Sequence, residues 1–130
     1  MSEFASSSGL RAEARIEQHA GERAASIPLE IQAQLMRIIQ EALTNVRKHA
    51  RAGRASVVLR ERLGSLVIEV LDDGSGFEAG DVPETSRHGL RGMRERAEMI
   101  GADFQITSQE GKGTTISLVL PGFLEEKTAL

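Results

Sequence analysis

Apolar residues recur along this chain in two different periods, and the switches between them mark its elements. Leu10, Ala12, Ala14 and Ile16 alternate with Arg11, Glu13, Arg15 and Glu17, which is the two-residue period of a half-buried strand. Residues 21–26 read as a loop, and Pro28 suits the first turn of a helix, where its missing N–H costs nothing. From about residue 28 to residue 50, Ile31, Leu35, Ile38, Ile39, Ala42, Leu43 and Val46 trace one helical stripe. Gly53 follows as its C-cap. Two strands are predicted over residues 55–62 and 65–71, joined by a tight turn at Leu63-Gly64, the second apolar enough to be central in a sheet. Residues 73–87 have no period and are rich in glycine, proline and acid, so they read as a loop. Leu90, Met93, Ala97 and Ile100 predict a second amphipathic helix from residue 89 to about residue 100, stopped at Gly101. Residues 104–107 and 115–120 close the pattern as a hairpin around Glu110-Gly111-Lys112-Gly113, ended by Pro121. Two helices over one face of a mixed, mostly antiparallel sheet make a two-layer α+β sandwich with a single core.

Composition narrows what such a fold can do. The chain has 130 residues, 40% of them hydrophobic and 27% charged, which suits one soluble globular domain. Only 3% are aromatic, so the core is aliphatic and the stacking platforms used on single-stranded nucleic acid are missing. A net charge of −3 gives no electrostatic reason to expect nucleic acid or an anionic membrane as a partner. With no cysteine there is no disulfide framework and no thiolate zinc site. No apolar run approaches the roughly 20 residues that span a bilayer, and no signal-peptide core is visible. Residues 1–8 lack any period and read as tag or linker residues outside the fold. The domain is expected over residues 9–123, with residues 124–130 as a C-terminal tail.

Three segments carry candidate chemistry. Residues four apart on a helix lie almost above one another, so Glu41, Asn45 and Lys48 form a ridge of carboxylate, amide and amine, with His49 near its edge. Asn45 offers an oxygen to magnesium, a hard ion that keeps several waters and is usually shared with substrate phosphates. Lys48 would neutralise phosphate charge, and Glu41 could polarise a water or hydroxyl as general base. Each of these residues alone is also what the solvated face of an amphipathic helix carries, and His49 can serve as a cap against the helix dipole. Asp72 ends an apolar strand and opens Asp72-Asp73-Gly74-Ser75-Gly76, where a carboxylate can accept from the exocyclic amine of adenine. Gly74 and Gly76 would let the backbone pass close to a flat ring, although acid and glycine also dominate ordinary turns. In Gly89-Leu90-Arg91-Gly92-Met93 the two glycines are expected at a helix start, whose free amides suit phosphate oxygens. His88 precedes them, either approaching the phosphates or lying idle on the surface. Gly111-Lys112-Gly113-Thr114-Thr115 lacks the spacing of a phosphate loop and precedes a strand, so it reads as a hairpin whose Thr114 hydroxyl could contact the base pocket.

In this order the segments resemble the N, G1 and G2 boxes and final Gly-Thr of the gyrase, heat-shock-protein-90, histidine-kinase and MutL ATPase superfamily. RIIQEALTNVRKHA and HGLRGMRERAEMIGA are similar to the ATP-binding catalytic domain of sensor histidine kinases of the nitrate-sensor type, and the resemblance runs from about Gly9 to Phe123. It implies a Bergerat-type sandwich binding Mg-ATP under a short lid over residues 77–88. By motif match it implies Asp72 at the adenine amine, Asn45 on magnesium and Lys48 at the phosphates. Gly74, Gly76, Gly89 and Gly92 would shape pocket and lid, Thr114 would support Asp72, and Glu41 would be the base or would assist the acceptor histidine. The implied partners are a dimerisation domain bearing the phosphoacceptor histidine and, indirectly, a response regulator, in the cytoplasm. None of His19, His49 or His88 stands in the acceptor context, being followed by Ala20, Ala50 and Gly89. The chain is therefore expected to be monomeric and unable to autophosphorylate alone. A stand-alone anti-sigma-factor serine kinase on the same fold is the alternative.

Overall fold

The computed structural model describes residues 3–5, 11–50, 52–76 and 84–122. Its strands are β1 (Glu3–Ala5), β2 (Arg11–Ile16), β3 (Arg54–Arg62), β4 (Ser65–Asp72), β5 (Asp103–Gln109) and β6 (Gly113–Leu120). Its helices are α1 (Gln18–Ser26), α2 (Leu29–Asn45) and α3 (Glu84–Met99), with a π-helical turn at Val46–Ala50 directly after α2. The strands form one sheet in the order β1-β2-β3-β4-β6-β5, antiparallel throughout except for β2 and β3. This is the expected α+β sandwich with a mixed sheet. Among the described residues no helix is long and apolar enough to cross a membrane.

Register decides which side chains share a face. Leu59, Ile68 and Leu118 lie in one row across β3, β4 and β6, and Val57, Val70 and Ile116 in the next. Both rows pack against Leu35, Ile38 and Ala42 of α2 and Met93 and Ala97 of α3. Phe104 joins them from β5, its ring also carrying the Arg94 guanidinium 5.0 Å from its centroid. The helical stripe is what makes α2 a helix, since 17 residues gain most of their stability from burying one face. α3 stops where expected. Gly101 has φ +74 and its N–H donates to the Glu98 carbonyl at 3.1 Å, while Ala102 N–H donates to the Ala97 carbonyl at 2.9 Å. That pair of bonds is a Schellman cap. Leu63 (φ 51) and Gly64 (φ 83) both take the left-handed region, as a two-residue hairpin turn between right-twisted strands requires.

Several expectations are corrected. Residues 21–26 are not a loop but the end of α1, a short helix whose only buried residue is Ala20. Alanine propensity and anchoring explain it, because Arg23 Nη1 and His19 Nε2 reach Glu61 Oε2 on β3 at 2.8 and 3.2 Å. Pro28 is the residue before α2 and not part of its first turn, with φ −51 and ψ 139. The regular helix ends at Asn45, five residues early, and the π turn carries the chain to Ala50. Gly53 is no C-cap, since it precedes β3 and its N–H donates to Asp73 Oδ1. α3 begins at Glu84, so residues 84–88 are helical and not loop. Ile16 ends β2 with 60% of its surface exposed, despite its place in the apolar alternation. Glu3–Ala5, set aside as tag or linker residues, pair with β2 as the edge strand β1. Leu10, lid residues 77–83 and the tail 124–130 lie outside the described residues.

Candidate nucleotide site

The end of α2 sits over the end of β4. Val46, directly after Asn45, packs with Ala12 and Ala55, and Ala55 is the cross-strand partner of Asp72. The ladder thus brings the ridge of α2 and the acidic turn after β4 to one end of the sandwich.

Asp72 is half-buried. Its Oδ1 accepts the Gly74 N–H at 2.8 Å, forming an Asx turn that folds the next residues back over the carboxylate. Burial pushes its carboxyl above the usual aspartate value, against the lowering effect of the Gly74 and Thr114 backbone amides, with a small upward push from neighbouring Asp73. The β5–β6 hairpin buttresses this turn. The Gly111 N–H donates to the Ser75 carbonyl at 2.6 Å, and Gly76 takes φ +65 so close to the hairpin that a Cβ there would lie 2.1 Å from the Gln109 carbonyl oxygen. The Thr114 hydroxyl does not face Asp72. It pairs with Ser108 Oγ at 2.8 Å, and Thr114 meets the carboxylate through its backbone. Ser108, which the sequence did not single out, thus stands behind the turn with Gly113, the glycine of the final Gly-Thr.

At the other side, α2 and α3 enclose a cavity of about 630 Å³ lined by Arg37, Glu41 and Thr44 from α2 and His88, Gly89 and Arg96 from α3, among others. Gly92 and Met93 also line it, although Met93 is a core residue only 1% exposed, and Leu90 packs against the core beside it. Gly89 lies against the ridge. A Cβ on it would fall 2.5 Å from Glu41 Oε1 and 3.3 Å from Asn45 Nδ2. Asn45 Nδ2 is buried without a hydrogen-bond partner among the described residues, an orphan of the kind that marks an incomplete site. The amide oxygen and nitrogen exchange by a flip, so the same side chain can present either atom.

Two placements differ from expectation. Gly89 and Gly92 lie inside α3, where the helix ladder uses their amides. The free amides belong to the first turn from Glu84, five residues earlier, so Gly89 is not at the dipole end in this structure. Lys48 is exposed and stands on the π turn, whose wider i→i+5 winding takes it off the line of Glu41 and Asn45. His49 follows on the same turn, its side chain outside the described residues.

The Gly89 contact makes a prediction. Alanine in a helix interior is favoured over glycine by about 1 kcal/mol, and the atom it would meet is the far end of a movable side chain. Gly89→Ala is expected to unfold at the same temperature as wild type or a few degrees higher, while the Glu41 carboxylate is displaced. A fall of several degrees would show that the Glu41 contact is rigid and overturn this.

A cradle holding a half-buried carboxylate beside a glycine turn, and an orphaned amide near a second carboxylate, fits a nucleotide with a hydrated metal on its phosphates. The chain is 42% identical over 97 residues to the sensor histidine kinase LiaS of Bacillus subtilis (strain 168), covering 75% of this chain and 27% of the relative. It is 39% identical over 92 residues to the oxygen sensor histidine kinase NreB of Staphylococcus carnosus (strain TM300), covering 71% and 26%. It therefore spans about a quarter of the length of these curated relatives. The blue-light activated histidine kinase of Erythrobacter litoralis EL346 shares the fold with a TM-score of 0.71 at 25% identity, over 94% of this chain and 37% of that one. A histidine kinase AdeS structure from Acinetobacter baumannii does so with a TM-score of 0.68 at 11% identity, over 89% and 56%. Residues 30–123 match the family described as histidine kinase-, DNA gyrase B- and HSP90-like ATPase, and the chain belongs to that family.

Proposed function

We propose that this chain is the ATP-binding catalytic domain of a two-component sensor histidine kinase, over residues 9–123 and working in the cytoplasm. In that reading it donates the γ-phosphoryl group of ATP to a histidine on a dimerisation domain of the parent protein, from which a response regulator receives it. The observation that carries this is Asp72, a half-buried carboxylate that meets backbone amides but no cation in the hydrogen bonds and ion pairs of the described residues. Such a group is an acceptor waiting for a donor, and the 6-amine of adenine is one. Guanine presents a carbonyl at the same place, so it would face Asp72 as acceptor against acceptor.

The remaining residues take their roles around that anchor. Gly74 and Gly76 shape the wall beside the base, with Thr114 behind them. Asn45 would hold magnesium, which supplies charge neutralisation at the phosphates when bound. Lys48 and His49 on the π turn, and His88 with the Gly89–Met93 segment, would line the phosphate end. In the transfer an acceptor imidazole nitrogen bonds to the γ-phosphorus as the bond from that phosphorus to the bridging oxygen breaks, leaving ADP. The imidazole N–H proton goes to a base, and Glu41 lining the α2–α3 cavity is the candidate. Positioning and charge neutralisation supply most of the catalysis in such a transfer.

Calorimetric titration with ATP, with and without magnesium and with GTP as control, tests the binding half. Saturable, magnesium-sensitive binding of ATP and none of GTP is expected. Labelled γ-phosphate appearing on a separately purified dimerisation domain of the parent protein, and not on this chain alone, is expected for the transfer half. A folded sample that binds no ATP would sink the reading.

A further inference from the structure

We propose that Asp73 is a positioning residue that sets the span between the adenine end and the phosphate end of the site by clamping residues 53 and 54 to the end of β4. This rests on the nucleotide reading above and assigns a role to a residue that reading leaves idle.

Asp73 is exposed, so burial does not explain its contacts. Its Oδ1 nevertheless accepts two backbone amides, Gly53 N–H and Arg54 N–H, each at 2.9 Å. Its own N–H donates to the Arg54 carbonyl at 3.2 Å. One residue thus makes three bonds to two consecutive residues. The β3–β4 ladder pairs Ala55 with Asp72 and goes no further, so these bonds extend the pairing past its end. The Gly53 carbonyl is held separately from β2, by the Arg11 N–H at 3.0 Å.

The two clamped residues are those by which the chain returns from the phosphate end. Asn45 closes α2, the π turn runs from Val46 to Ala50, and Gly53 stands three residues further on, immediately before Arg54 opens β3. Asp73 is bonded covalently to Asp72, the proposed adenine acceptor. A single carboxylate oxygen therefore ties the stretch leaving the magnesium and phosphate residues to the neighbour of the base-reading residue. A ligand that touches both ends needs this distance held. A ligand that touches only Asp72 does not. Misplacement of about 1 Å is enough to cost a large factor in a preorganised site.

The test compares ATP with adenosine. In Asp73→Ala, ATP affinity is expected to fall roughly tenfold, the scale of one charge-assisted contact, while adenosine affinity, read from amide chemical shifts, stays within about twofold. Asp73→Asn keeps an acceptor oxygen and is expected to restore ATP binding to near the wild-type value. Should Asp73→Ala fail to fold, Asp73→Glu keeps the charge but moves the oxygen one methylene outward, and the same loss for ATP alone is expected. A parallel fall for ATP and adenosine would mean a merely loosened Asp72, and would overturn the proposal. So would an unchanged Asp73→Ala, or an Asp73→Asn as weak as alanine. Wild-type protein that binds neither ligand would overturn the nucleotide reading itself, before any variant is compared.

Discussion

Gly113→Ala is expected to lower the thermal unfolding midpoint by 10 °C or more. Gly113 takes φ +87, so alanine there adopts a left-handed conformation at roughly 1–2 kcal/mol. Its Cβ would also lie 2.1 Å from the Asp72 carbonyl oxygen and 3.1 Å from the Asp72 carbonyl carbon. Both are backbone atoms of a paired strand, and the pairing of Asp72 with Thr114 leaves them no room to move without breaking the β4–β6 register. Together these put the cost above about 3 kcal/mol, a large part of the 5–15 kcal/mol that holds a typical domain together. At roughly 4 °C or more per kcal/mol for a domain near this size, the midpoint shift follows. Gly111 is the control. It has a similar φ of +80 but nothing within 4 Å of its Cβ position, so Gly111→Ala should cost only the dihedral strain. Calorimetric scans of both variants decide the matter, and equal midpoints would show that the Asp72 contact yields easily.

What was legible in the sequence follows from what leaves a periodic trace. The stripe of Leu35, Ile38 and Ala42 announced α2 because those residues face a continuous apolar sheet. α1 left no such trace, since it buries only Ala20 and is held by Arg23 and His19 on Glu61, a contact 38 residues or more along the chain. The early start of α3 was hidden for a related reason. Residues 84–88 (ETSRH) carry no apolar period, and Gly89 reads as a boundary when glycine is judged by propensity alone. Here the glycine lies inside the helix, its Cα facing the Glu41 side chain, so it marks a close approach and not a boundary.

The same distinction divides the site. Asp72, Gly74 and Gly76 stood out as an acidic turn after an apolar strand, a local pattern. The support behind them is long-range. Gly113 seats against the Asp72 carbonyl, and Asp73 spans 20 residues to Gly53. No spacing rule contains those pairs. The ridge argument for Lys48 assumed one helical period through Ala50, whereas the winding changes at Val46. π turns recur at functional sites, and this one carries Lys48 and His49, the residues proposed for the phosphates.

Asp72→Asn is expected to weaken ATP binding by roughly 10- to 150-fold while leaving the fold as stable as wild type, or more so, at neutral pH. In the proposed complex the carboxylate receives two backbone amides and the adenine amine. Asparagine has one acceptor oxygen, so its NH₂ must face one of those three donors. Losing a hydrogen bond to a charged acceptor costs about 1.5–3 kcal/mol, which sets the range of affinity. Stability moves the other way because burial holds the Asp72 carboxyl above its unfolded value of 3.8. A group whose folded value is raised favours folding fully below its unfolded pKa and loses that contribution as pH rises through the folded one. At neutral pH wild-type Asp72 is therefore ionised against its surroundings, and the uncharged amide removes that cost. The stability difference between variant and wild type should shrink as pH falls through the raised value toward 3.8, where both side chains are neutral. Urea titrations at neutral and mildly acidic pH, beside calorimetry with ATP, read both effects. A variant that binds ATP like wild type would remove Asp72 from the adenine pocket, and one less stable than wild type at neutral pH would mean that the Gly74 and Thr114 amides need the charge more than burial opposes it.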